Sequence, residues 1–319
     1  MKALQFSATG SLDHLKLVDV PVPTPRAGEV LVRVEAAGLN PSDVKNVLGR
    51  FPYTTLPRIP GRDFAGEVVE GPSNFIGKKV FGSGKELGFF ADGTHAEYVV
   101  VPQSGAAVIP QTLSVAQAGG VGVPYVTAWE ALERAQAGAG VRTLIIGVGA
   151  VGRAAADLAK WRGADLVLAV RRADQALALE AAGFTAEILS DAPFAELLPP
   201  RFHGAADVVF DTTGAWTAES VAALAPMGRL AIIAAPASGT VEFPTLALYR
   251  KGGTLVGVNS LLHDTRASAA MLAAIARGWA AGNLALPPEP RVWPLADGLA
   301  AYRTVDAGSA EKIVLSGSA

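Results

Sequence analysis

The sequence predicts an α/β protein of two domains, in which a small strand-rich domain is followed by a doubly wound parallel sheet. The chain has 319 residues, which suggests two domains of ordinary size. Roughly the first 110 residues contain short runs with strand patterning separated by turn residues, a pattern typical of a small β-barrel. From Thr143 onward, patterns of strand and helix alternate, which implies a parallel sheet with helices on both faces.

The first domain is predicted from runs with strand patterning, of which Glu29–Ala37 alternates apolar and polar residues as a half-buried strand does. A short helix through Leu48, capped by Ser42 or Asp43, is expected after this run. Residues 50–63 are rich in proline and aromatic side chains, and this loop is long enough to be functional. The predicted strands are Lys2–Phe6, Leu15–Val20, Glu29–Ala37, Ala65–Glu70, Lys79–Phe81 and Tyr98–Val101.

The second domain is predicted from apolar runs that alternate with helical patterns, after two helices at Ser114–Gly119 and Thr127–Gln136. The last segment, with a helix at Ala296–Thr304 and a strand at Lys312–Leu315, is expected to return to the first domain. The predicted strands of the second domain are Leu144–Ile146, Leu166–Val170, Ala186–Leu189, Ala206–Phe210, Leu230–Ala235 and Thr254–Val258. Further predicted helices are Ala173–Ala182, Thr217–Leu224 and Ser268–Ala281.

Three glycines with G-x-G-x-x-G spacing join a predicted strand to a predicted helix. Gly147 would permit a tight turn, Gly149 would let a pyrophosphate approach the backbone, and Gly152 would let helix and strand pack closely. The phosphates would then accept hydrogen bonds from N–H groups at the start of the helix. The alternative is a glycine-rich turn without a ligand. We expect dinucleotide binding by Gly147, Val148, Gly149, Ala150, Val151 and Gly152.

The end of the next strand indicates which dinucleotide is bound. NAD-specific folds place an acidic residue there for the ribose 2′-hydroxyl. Here the strand ends in Arg171 and Arg172, and no carboxylate follows it directly. Two guanidinium groups suit a 2′-phosphate, which they can bind with paired hydrogen bonds. The pattern favours NADPH, and the alternative is that the arginines simply face solvent.

Composition excludes several classes of function. The chain has no cysteine, which excludes disulfides, thiol catalysis and cysteine-ligated zinc, and its four histidines are far apart. The formal net charge of −2 gives no basic field for nucleic acid. No uninterrupted apolar run approaches the roughly 18 residues that a membrane helix needs. The N-terminal residues lack the apolar core of a signal peptide. We therefore expect a cytoplasmic protein without metal, nucleic-acid partner or membrane segment.

Several motifs occur in one order along nearly the whole chain. They are Gly38-Leu-Asn40-Pro41-Ser-Asp43, Gly61-Arg-Asp63-Phe-Ala-Gly66-Glu-Val68, Gly93-Thr-His-Ala-Glu97-Tyr98, Val126-Thr127-Ala128-Trp129, the glycine triplet, Asp211-Thr-Thr-Gly214 and Lys312-Ile-Val-Leu315. On these motifs the chain resembles the medium-chain dehydrogenase/reductase superfamily, specifically its zinc-independent NADPH:quinone oxidoreductase branch. The resemblance implies a GroES-like β-barrel catalytic domain over 1–122, a Rossmann NADP-binding domain over 123–260, and a C-terminal return over 261–319.

The resemblance also implies the residues of the site. Asn40 and Asp43 would lie near the nicotinamide, which Thr127 would contact. The chain departs from the family pattern at Lys45, where a tyrosine is frequent, and near position 51, where the nearest tyrosine is Tyr53. The catalytic candidates are therefore Asn40, Asp43, Lys45 and Tyr53, each of which also has a purely structural interpretation. Further cofactor contacts are implied for Thr212, Gly214, Ala234, Ala235, Pro236, Gly257 and Asn259.

The implied activity is hydride transfer from NADPH to a quinone or an α,β-unsaturated carbonyl without a metal. Zinc-dependent relatives carry a cysteine near the Asn40 turn and a His-Glu pair after the glycine, whereas here Gly61 precedes Arg62 and Asp63. A conjugated acceptor delocalises its developing charge and needs weaker stabilisation than a simple ketone. The alternatives are an enoyl-thioester reductase and a non-catalytic NADPH-binding protein with a structural or regulatory role. Thr254–Val258 is expected at the sheet edge, which in this family commonly pairs in a homodimer.

Overall fold

A computed structural model of the chain describes residues 1–190, 193–309 and 311–317. The chain divides into two compact units. Unit 1 comprises Met1–Val126 and Ser260–Ala319, and unit 2 comprises Thr127–Asn259. In the described residues, no helix combines the length and apolar character that crossing a bilayer would require.

The secondary structure follows the predicted order of elements. The strands are β1 (Lys2–Phe6), β2 (Leu15–Asp19), β3 (Glu29–Leu39), β4 (Phe64–Glu70), β5 (Lys79–Gly82), β6 (Tyr98–Pro102), β7 (Ala107–Val108), β8 (Arg142–Ile146), β9 (Asp165–Val170), β10 (Ala186–Ile188), β11 (Ala206–Asp211), β12 (Leu224–Ile232), β13 (Thr254–Gly257), β14 (Arg291–Pro294) and β15 (Ile313–Ser316). The helices are α1 (Pro41–Val47), α2 (Val115–Gly120), α3 (Gly122–Arg134), α4 (Ala150–Trp161), α5 (Ala173–Ala181), α6 (Phe194–Leu197), α7 (Thr217–Ala223), α8 (Thr245–Arg250), α9 (Thr265–Ala280) and α10 (Gly298–Asp306). The sequence patterns missed β7, β14, α6 and α8, because such short elements show no clear period.

Unit 2 is built on a six-stranded sheet in the order β10-β9-β8-β11-β12-β13. Every neighbouring pair of strands is parallel. This is the strand order of the doubly wound dinucleotide-binding fold, so the predicted Rossmann domain is confirmed. Its core contains Leu144, Ile146, Val209 and Leu230, which are almost fully buried. The edge position predicted for β13 is also confirmed.

The register of this sheet aligns the carboxyl ends of five strands. Ile146 pairs with Ala169 on one side and with Asp211 on the other. Asp211 pairs with Ile232, which in turn pairs with Gly257. The loops after β8, β9, β11, β12 and β13 therefore leave from one edge of the sheet, the edge at which such folds bind ligands.

Unit 1 contains a seven-stranded sheet with β3 at its centre. The main path is β14-β15-β3-β4-β5-β7, and β6 also pairs with β3. Strands β1 and β2 form the predicted antiparallel hairpin. Strand β15 near the C-terminus pairs antiparallel with β3, and Ile313 lies opposite Leu39.

Helices α1 and α3 begin at residues other than those predicted, and α2, α9 and α10 also begin one to three residues from their predicted starts. Helix α1 begins at Pro41, so its N-cap is Asn40 and not Ser42 or Asp43. Proline is favoured at the first helical position because it has no N–H to leave unpaired. Asp43 instead occupies the third helical position, where its carboxylate accepts the Asn40 N–H at 2.8 Å. Helix α3 begins at Gly122, five residues before the predicted start.

Candidate functional site

The three glycines after β8 differ in how much room their surroundings leave for a side chain. Gly147 has a φ of +80°, and a Cβ there would lie 2.5 Å from Thr213 Cγ2. A Cβ on Gly152 would overlap the carbonyl oxygen of Gly147. Gly149 has a φ of −75° and would meet nothing within 4 Å if it carried a Cβ. The fold therefore requires the first and third glycines, whereas open space lies beside the second.

That open space lies at the start of helix α4. The N-cap of α4 is Gly149, which offers no side chain to the first N–H groups, and the first turn contains no acidic residue. Uncapped N–H groups and the positive end of the helix dipole favour an anion. Val148, Ala150 and Val151 belong to the same turn. These residues fit the pyrophosphate of a dinucleotide, and they would bind it through backbone groups.

The loop after β11 packs directly against the glycine turn. Thr212 Oγ1 donates to the carbonyl oxygens of Ile146 and Gly147, a bifurcated contact with both distances at 2.9 Å. The fully buried Asp211 shapes this loop, because its carboxylate accepts the backbone N–H groups of Thr213, Gly214 and Trp216. Sequence reasoning gave Asp211 no role, although it stands in a motif used for the resemblance.

The remaining predicted cofactor residues lie along the same sheet edge, except for Thr127. Ala234, Ala235 and Pro236 follow β12, and a Cβ on Gly214 would overlap the backbone of Ala234. The carbonyl oxygen of Gly257 at the end of β13 accepts a hydrogen bond from Arg134. Asn259 follows β13 and is exposed. Thr127 is buried on helix α3.

Arg171 and Arg172 follow the end of β9 and are both exposed. Arg172 Nε donates to Asp174 Oδ1 at 3.2 Å, and both side chains of this pair are more than half exposed. Surface pairs of this kind contribute about 0–1 kcal/mol, so the arginine can exchange its partner at little cost. Both guanidinium groups are therefore accessible at the ligand-binding edge of the sheet.

A buried polar cluster in unit 1 surrounds the side chain of Lys312. Its Nζ donates to Asn40 Oδ1 at 2.6 Å and to the Leu39 carbonyl oxygen at 3.2 Å, and it lies 3.8 Å from Asp63 Oδ2. Asn40 Nδ2 donates to the same Asp63 oxygen at 2.9 Å. The other Asp63 oxygen accepts the N–H of Val123 at 2.8 Å. One ammonium thus connects the start of α1, β15 and the residue before β4.

These contacts define the part that Asn40 can play. Its Oδ1 is bound to Lys312, and its Nδ2 donates to Asp63 and, at 3.4 Å, to the carbonyl oxygen of Gly38. The side-chain amide is therefore engaged within the cluster. In this structure the amide orients its neighbours, and the catalytic role implied for Asn40 stays a prediction.

Asp43 lies beside this cluster and differs from Asn40 in its electrostatics. Burial, and then the negative charge of Asp63, raise the pKa of the Asp43 carboxyl to about 7. The Asn40 N–H and the cations Arg62 and Lys312 oppose this shift. A carboxyl that titrates near neutrality can hold or release a proton at physiological pH.

Arg62 is a second buried cation that sequence reasoning did not count among the site residues. Its side chain is 2% exposed and donates to the Gly84 carbonyl oxygen and to both oxygens of Ser260, at 3.2–3.3 Å. Burial lowers its pKa, and Asp63 and Asp43 oppose that shift. A charged residue directly after Gly61, within a motif of the resemblance, was the available signal.

His95 and Tyr302 form a neutral pair next to the cluster. His95 Nε2 lies 3.3 Å from the Gly38 carbonyl oxygen, so this nitrogen carries the hydrogen, and Nδ1 accepts the Tyr302 hydroxyl at 2.8 Å. Burial lowers the pKa of His95 to about 4 and raises that of Tyr302 well above its usual value. His95 is therefore uncharged at neutral pH and holds a tyrosine in place.

The structure separates Lys45 and Tyr53 from the buried cluster. Lys45 lies on α1, where its side chain is exposed, unlike that of Asp43 on the same helix. Tyr53 is exposed in the loop that follows α1, and it packs against the rings of Phe51, Phe89 and Phe90. Burial raises the pKa of its hydroxyl, which therefore remains a hydrogen-bond donor at neutral pH.

Two family models match the chain. The alcohol dehydrogenase GroES-like domain matches residues 26–111, and the zinc-binding dehydrogenase family matches residues 150–276. A zinc-type alcohol dehydrogenase-like protein of Schizosaccharomyces pombe is 40% identical over 257 residues, which are 78% of this chain and 75% of that protein. The chain belongs to the medium-chain dehydrogenase/reductase superfamily. It is thus an oxidoreductase with a nicotinamide-dinucleotide-binding fold, and the predicted GroES-like domain is confirmed.

Other members of this superfamily carry more specific names. The NADPH-dependent alkenal/one oxidoreductase of Arabidopsis thaliana chloroplasts is 34% identical over 226 residues, which are 67% of this chain and 58% of that protein. A mycobacterial quinone oxidoreductase has a similar structure, with a TM-score of 0.83, 25% identity and 99% of both chains covered. A mycobacterial protein solved with NADPH gives the same TM-score and coverage at 26% identity. The predicted quinone oxidoreductase-like branch is confirmed.

Zinc, which one family model names, does not fit the residues around Asn40. Within the described residues, no three histidine, cysteine, aspartate or glutamate side chains are grouped so as to hold a metal ion. By the resemblance, zinc-dependent relatives carry a cysteine near the Asn40 turn and a His-Glu pair after the glycine, where this chain has Arg62 and Asp63, and Arg62 is itself a cation. Lys312 adds a second positive charge within 3.8 Å of Asp63.

Replacing Gly149 by valine tests whether the open space at α4 receives a ligand. The backbone of Gly149 is extended and an added Cβ would meet no chain atom within 4 Å, so the free energy of unfolding should fall by about 1 kcal/mol or less, the cost of a poorer N-cap. A side chain in the path of the pyrophosphate should weaken dinucleotide binding about tenfold or more. Fluorescence titration with the reduced cofactor measures this change. Gly138→Val, at another open position of unit 2, is the control and should bind normally. Equal affinities in the two variants would refute the assignment.

Replacing Asp43 by asparagine is expected to change how stability depends on pH. The folded-state pKa of about 7 lies above the usual aspartate pKa of 3.8. The stability contributed by the neutral carboxyl is therefore fully present below pH 3.8 and is lost as the pH rises through about 7. Asparagine keeps an acceptor for the Asn40 N–H but does not titrate. Denaturant titrations from about pH 4 to about pH 8 should therefore show the variant gaining stability relative to the parent.

At each pH, the free energy of unfolding of the parent must be subtracted from that of the variant, because His95 has the opposite effect on the pH dependence of stability. Its pKa is lowered from 6.5 to about 4, so its contribution is present above 6.5 and is lost as the pH falls through about 4. This histidine is present in both proteins, and its contribution cancels in the difference. A difference that stays constant over the whole range would contradict the raised pKa of Asp43.

Proposed function

We propose that the protein transfers a hydride from NADPH to the conjugated carbon system of a quinone or an α,β-unsaturated carbonyl, without a metal ion. One observation carries the proposal. Arg62 and Asp63 follow Gly61 where the resemblance gives zinc-dependent relatives a His-Glu pair, and Asn40 lies at the turn where it gives them a cysteine. Asn40 and Asp63 are hydrogen-bonded to each other beside the Lys312 ammonium, and Arg62 donates to Gly84 and Ser260. A reductase built in this way is best suited to acceptors that spread negative charge over a conjugated system.

The choice of NADPH is supported by the exposed Arg171 and Arg172 after β9. A 2′-phosphate brings about two negative charges to this edge of the sheet, and guanidinium groups bind it with charge-assisted hydrogen bonds. The names of the Arabidopsis relative and of the mycobacterial complex support the same cofactor. Both arginines would hold the phosphate, and the glycine turn would hold the pyrophosphate.

When bound, the nicotinamide supplies the hydride, and the chain supplies orientation and polarity. The acceptor gains two electrons with the hydride and then one proton. Among the described residues, the Tyr53 hydroxyl has no hydrogen-bond partner, so it can donate to a carbonyl oxygen of the substrate. Asp43 titrates near neutrality and, together with water, is our candidate source of the proton.

Steady-state oxidation of NADPH with a panel of quinones, enones and simple ketones tests the proposal. We expect turnover with the quinones and enones and little with the ketones, because a simple ketone concentrates the developing charge on one oxygen. Activity should be unchanged after treatment with a chelator and dialysis. Loss of activity to the chelator would exclude the metal-free mechanism. Tight NADPH binding without turnover of any acceptor would favour a non-catalytic role.

Arg171→Ala tests how the cofactor is selected. Loss of a charge-assisted hydrogen bond to the 2′-phosphate should raise the KM for NADPH about tenfold or more. The KM for NADH should not change, because NADH has no phosphate there. Arg201→Ala is the control, since Arg201 is also exposed but pairs with Asp165 at the opposite end of β9. A parent enzyme that prefers NADH, or a variant with parallel changes for both cofactors, would refute the assignment.

A further inference from the structure

Strand β13 of unit 2 ends in a peptide group that is held from both sides. The N–H of Val258 donates to the carbonyl oxygen of Ile232 on β12 at 2.9 Å. This peptide is trans, so the carbonyl oxygen of Gly257 points the opposite way, out from the edge of the sheet. Arg134 Nη1 on helix α3 donates to that oxygen. One bond within the sheet and one bond from a helix therefore fix the plane of the peptide.

Glu130 directs the guanidinium group that makes the second of these bonds. Arg134 Nη1 also donates to Glu130 Oε1 at 3.3 Å, and the two residues lie one turn apart on α3. The Glu130 side chain is 7% exposed, whereas that of Arg134 is 47% exposed. A glutamate four residues before a cationic side chain is the favourable order on a helix. The buried carboxylate thus orients an exposed arginine toward the end of β13.

Helix α3 is in turn anchored to helix α4, which follows the glycine turn. Arg162 is the C-cap residue of α4, and its Nη1 lies 2.9 Å from Glu133 Oε1 on α3. The same guanidinium group lies 4.3 Å from the ring centroid of Trp129, also on α3. An ion pair and a cation–π contact therefore join the two helices. Through Arg134, the end of β13 is connected to the same frame as the glycine turn.

The surroundings of Gly257 leave room for a ligand. The residue is exposed, and a Cβ on it would meet nothing within 4 Å. Its φ lies outside the left-handed region, so the backbone does not require glycine either. Gly149 at the start of α4 has the same two properties. Two glycines at the carboxyl edge of one sheet thus leave open space that no chain atom occupies.

The strand order indicates which part of a dinucleotide reaches Gly257. Arg171 and Arg172 follow β9, and the glycine turn follows β8. With the 2′-phosphate at β9 and the pyrophosphate at β8, the rest of the cofactor extends over β11 and β12 toward β13. The nicotinamide half therefore points to the end of β13.

We propose that Arg134 and Glu130 are positioning residues, which hold the backbone of Gly257 in place for the nicotinamide half of the cofactor. The inference rests on the proposed function for the direction in which the cofactor lies. Arg134 acts through the Gly257 carbonyl oxygen, and neither side chain has to touch the cofactor. Loss of Arg134 would release the outer side of the peptide after Gly257 and would leave the groups at β8 and β9 unchanged.

Binding of whole and truncated cofactors, measured by calorimetric titration, tests this inference. ADP-ribose 2′-phosphate is NADPH without its nicotinamide, and ADP-ribose is the corresponding part of NADH. In Arg134→Met, we expect the Kd for NADPH to rise about fivefold and the Kd for ADP-ribose 2′-phosphate to change less than about twofold. Arg134→Lys keeps a cationic donor and should recover most of the lost affinity. Arg201→Met removes another exposed ion pair of unit 2 and is the control, which should bind all four ligands like the parent.

Glu130→Gln provides a second variant that decides the question if Arg134→Met does not fold. It keeps the size of the side chain and weakens the hold on Arg134, so the Kd for NADPH should rise about twofold to threefold while that for ADP-ribose 2′-phosphate stays constant. Equal losses of affinity for whole and truncated cofactors, or no loss for either, would overturn the positioning role. A parent that prefers NADH would refute the choice of NADPH, and the pair of NADH and ADP-ribose would then test Arg134 in the same way.

Discussion

Charged side chains buried inside unit 1 need partners, and the Lys312 ammonium lies at the centre of the network that supplies them. Its ligands are the Leu39 carbonyl oxygen, Asn40 Oδ1 and the carboxylate of Asp63. An unpaired charge in a protein interior costs several kcal/mol, so removal of any one member would leave the others unbalanced. Because Asp63 also accepts the Val123 N–H, the same network fixes the first turn of α3. One ion pair thus sets the positions of four segments that are far apart in sequence.

The network also explains why two neighbouring polar residues differ in their chemistry. The Asn40 side chain is bound by Lys312 and Asp63 and is held in one orientation. The Asp43 carboxyl, three residues later, is buried, lies close enough to Asp63 to feel its negative charge, and accepts the backbone N–H of Asn40. The side-chain amide of Asn40 is held rigid because its oxygen and its nitrogen are both hydrogen-bonded. The pKa of Asp43 lies near neutral because the Asn40 N–H and the nearby cations only partly offset its burial and the charge of Asp63.

Much of the fold and one half of the candidate site could be predicted from sequence, because their signals are local. The glycine spacing lies within six residues of the chain, and the strand and helix patterns around it have clear periods. The contact between Lys312 and Asn40 spans 272 residues, and no period or motif spacing encodes it. The start of α1 was assigned wrongly because Asn40, Ser42 and Asp43 are all good N-caps. Pro41 was the decisive signal, since proline prefers the first helical position.

Some residues carry an energetic cost that contacts within the chain do not offset, namely Gly149, Tyr53 and Phe90. The buried cations Arg62 and Lys312 differ from them. A glycine at an ordinary φ weakens a fold without a local reason, and exposed aromatic rings leave apolar surface in water. No packing contact requires either, since Gly149 could carry a Cβ that meets nothing within 4 Å and Phe90 is more than half exposed. Arg62 and Lys312 are costly as well, but their costs are balanced by partners within unit 1. We expect a ligand at positions whose energetic cost no contact within the chain offsets. Buried charges whose cost is offset by partners instead hold the surrounding fold in shape.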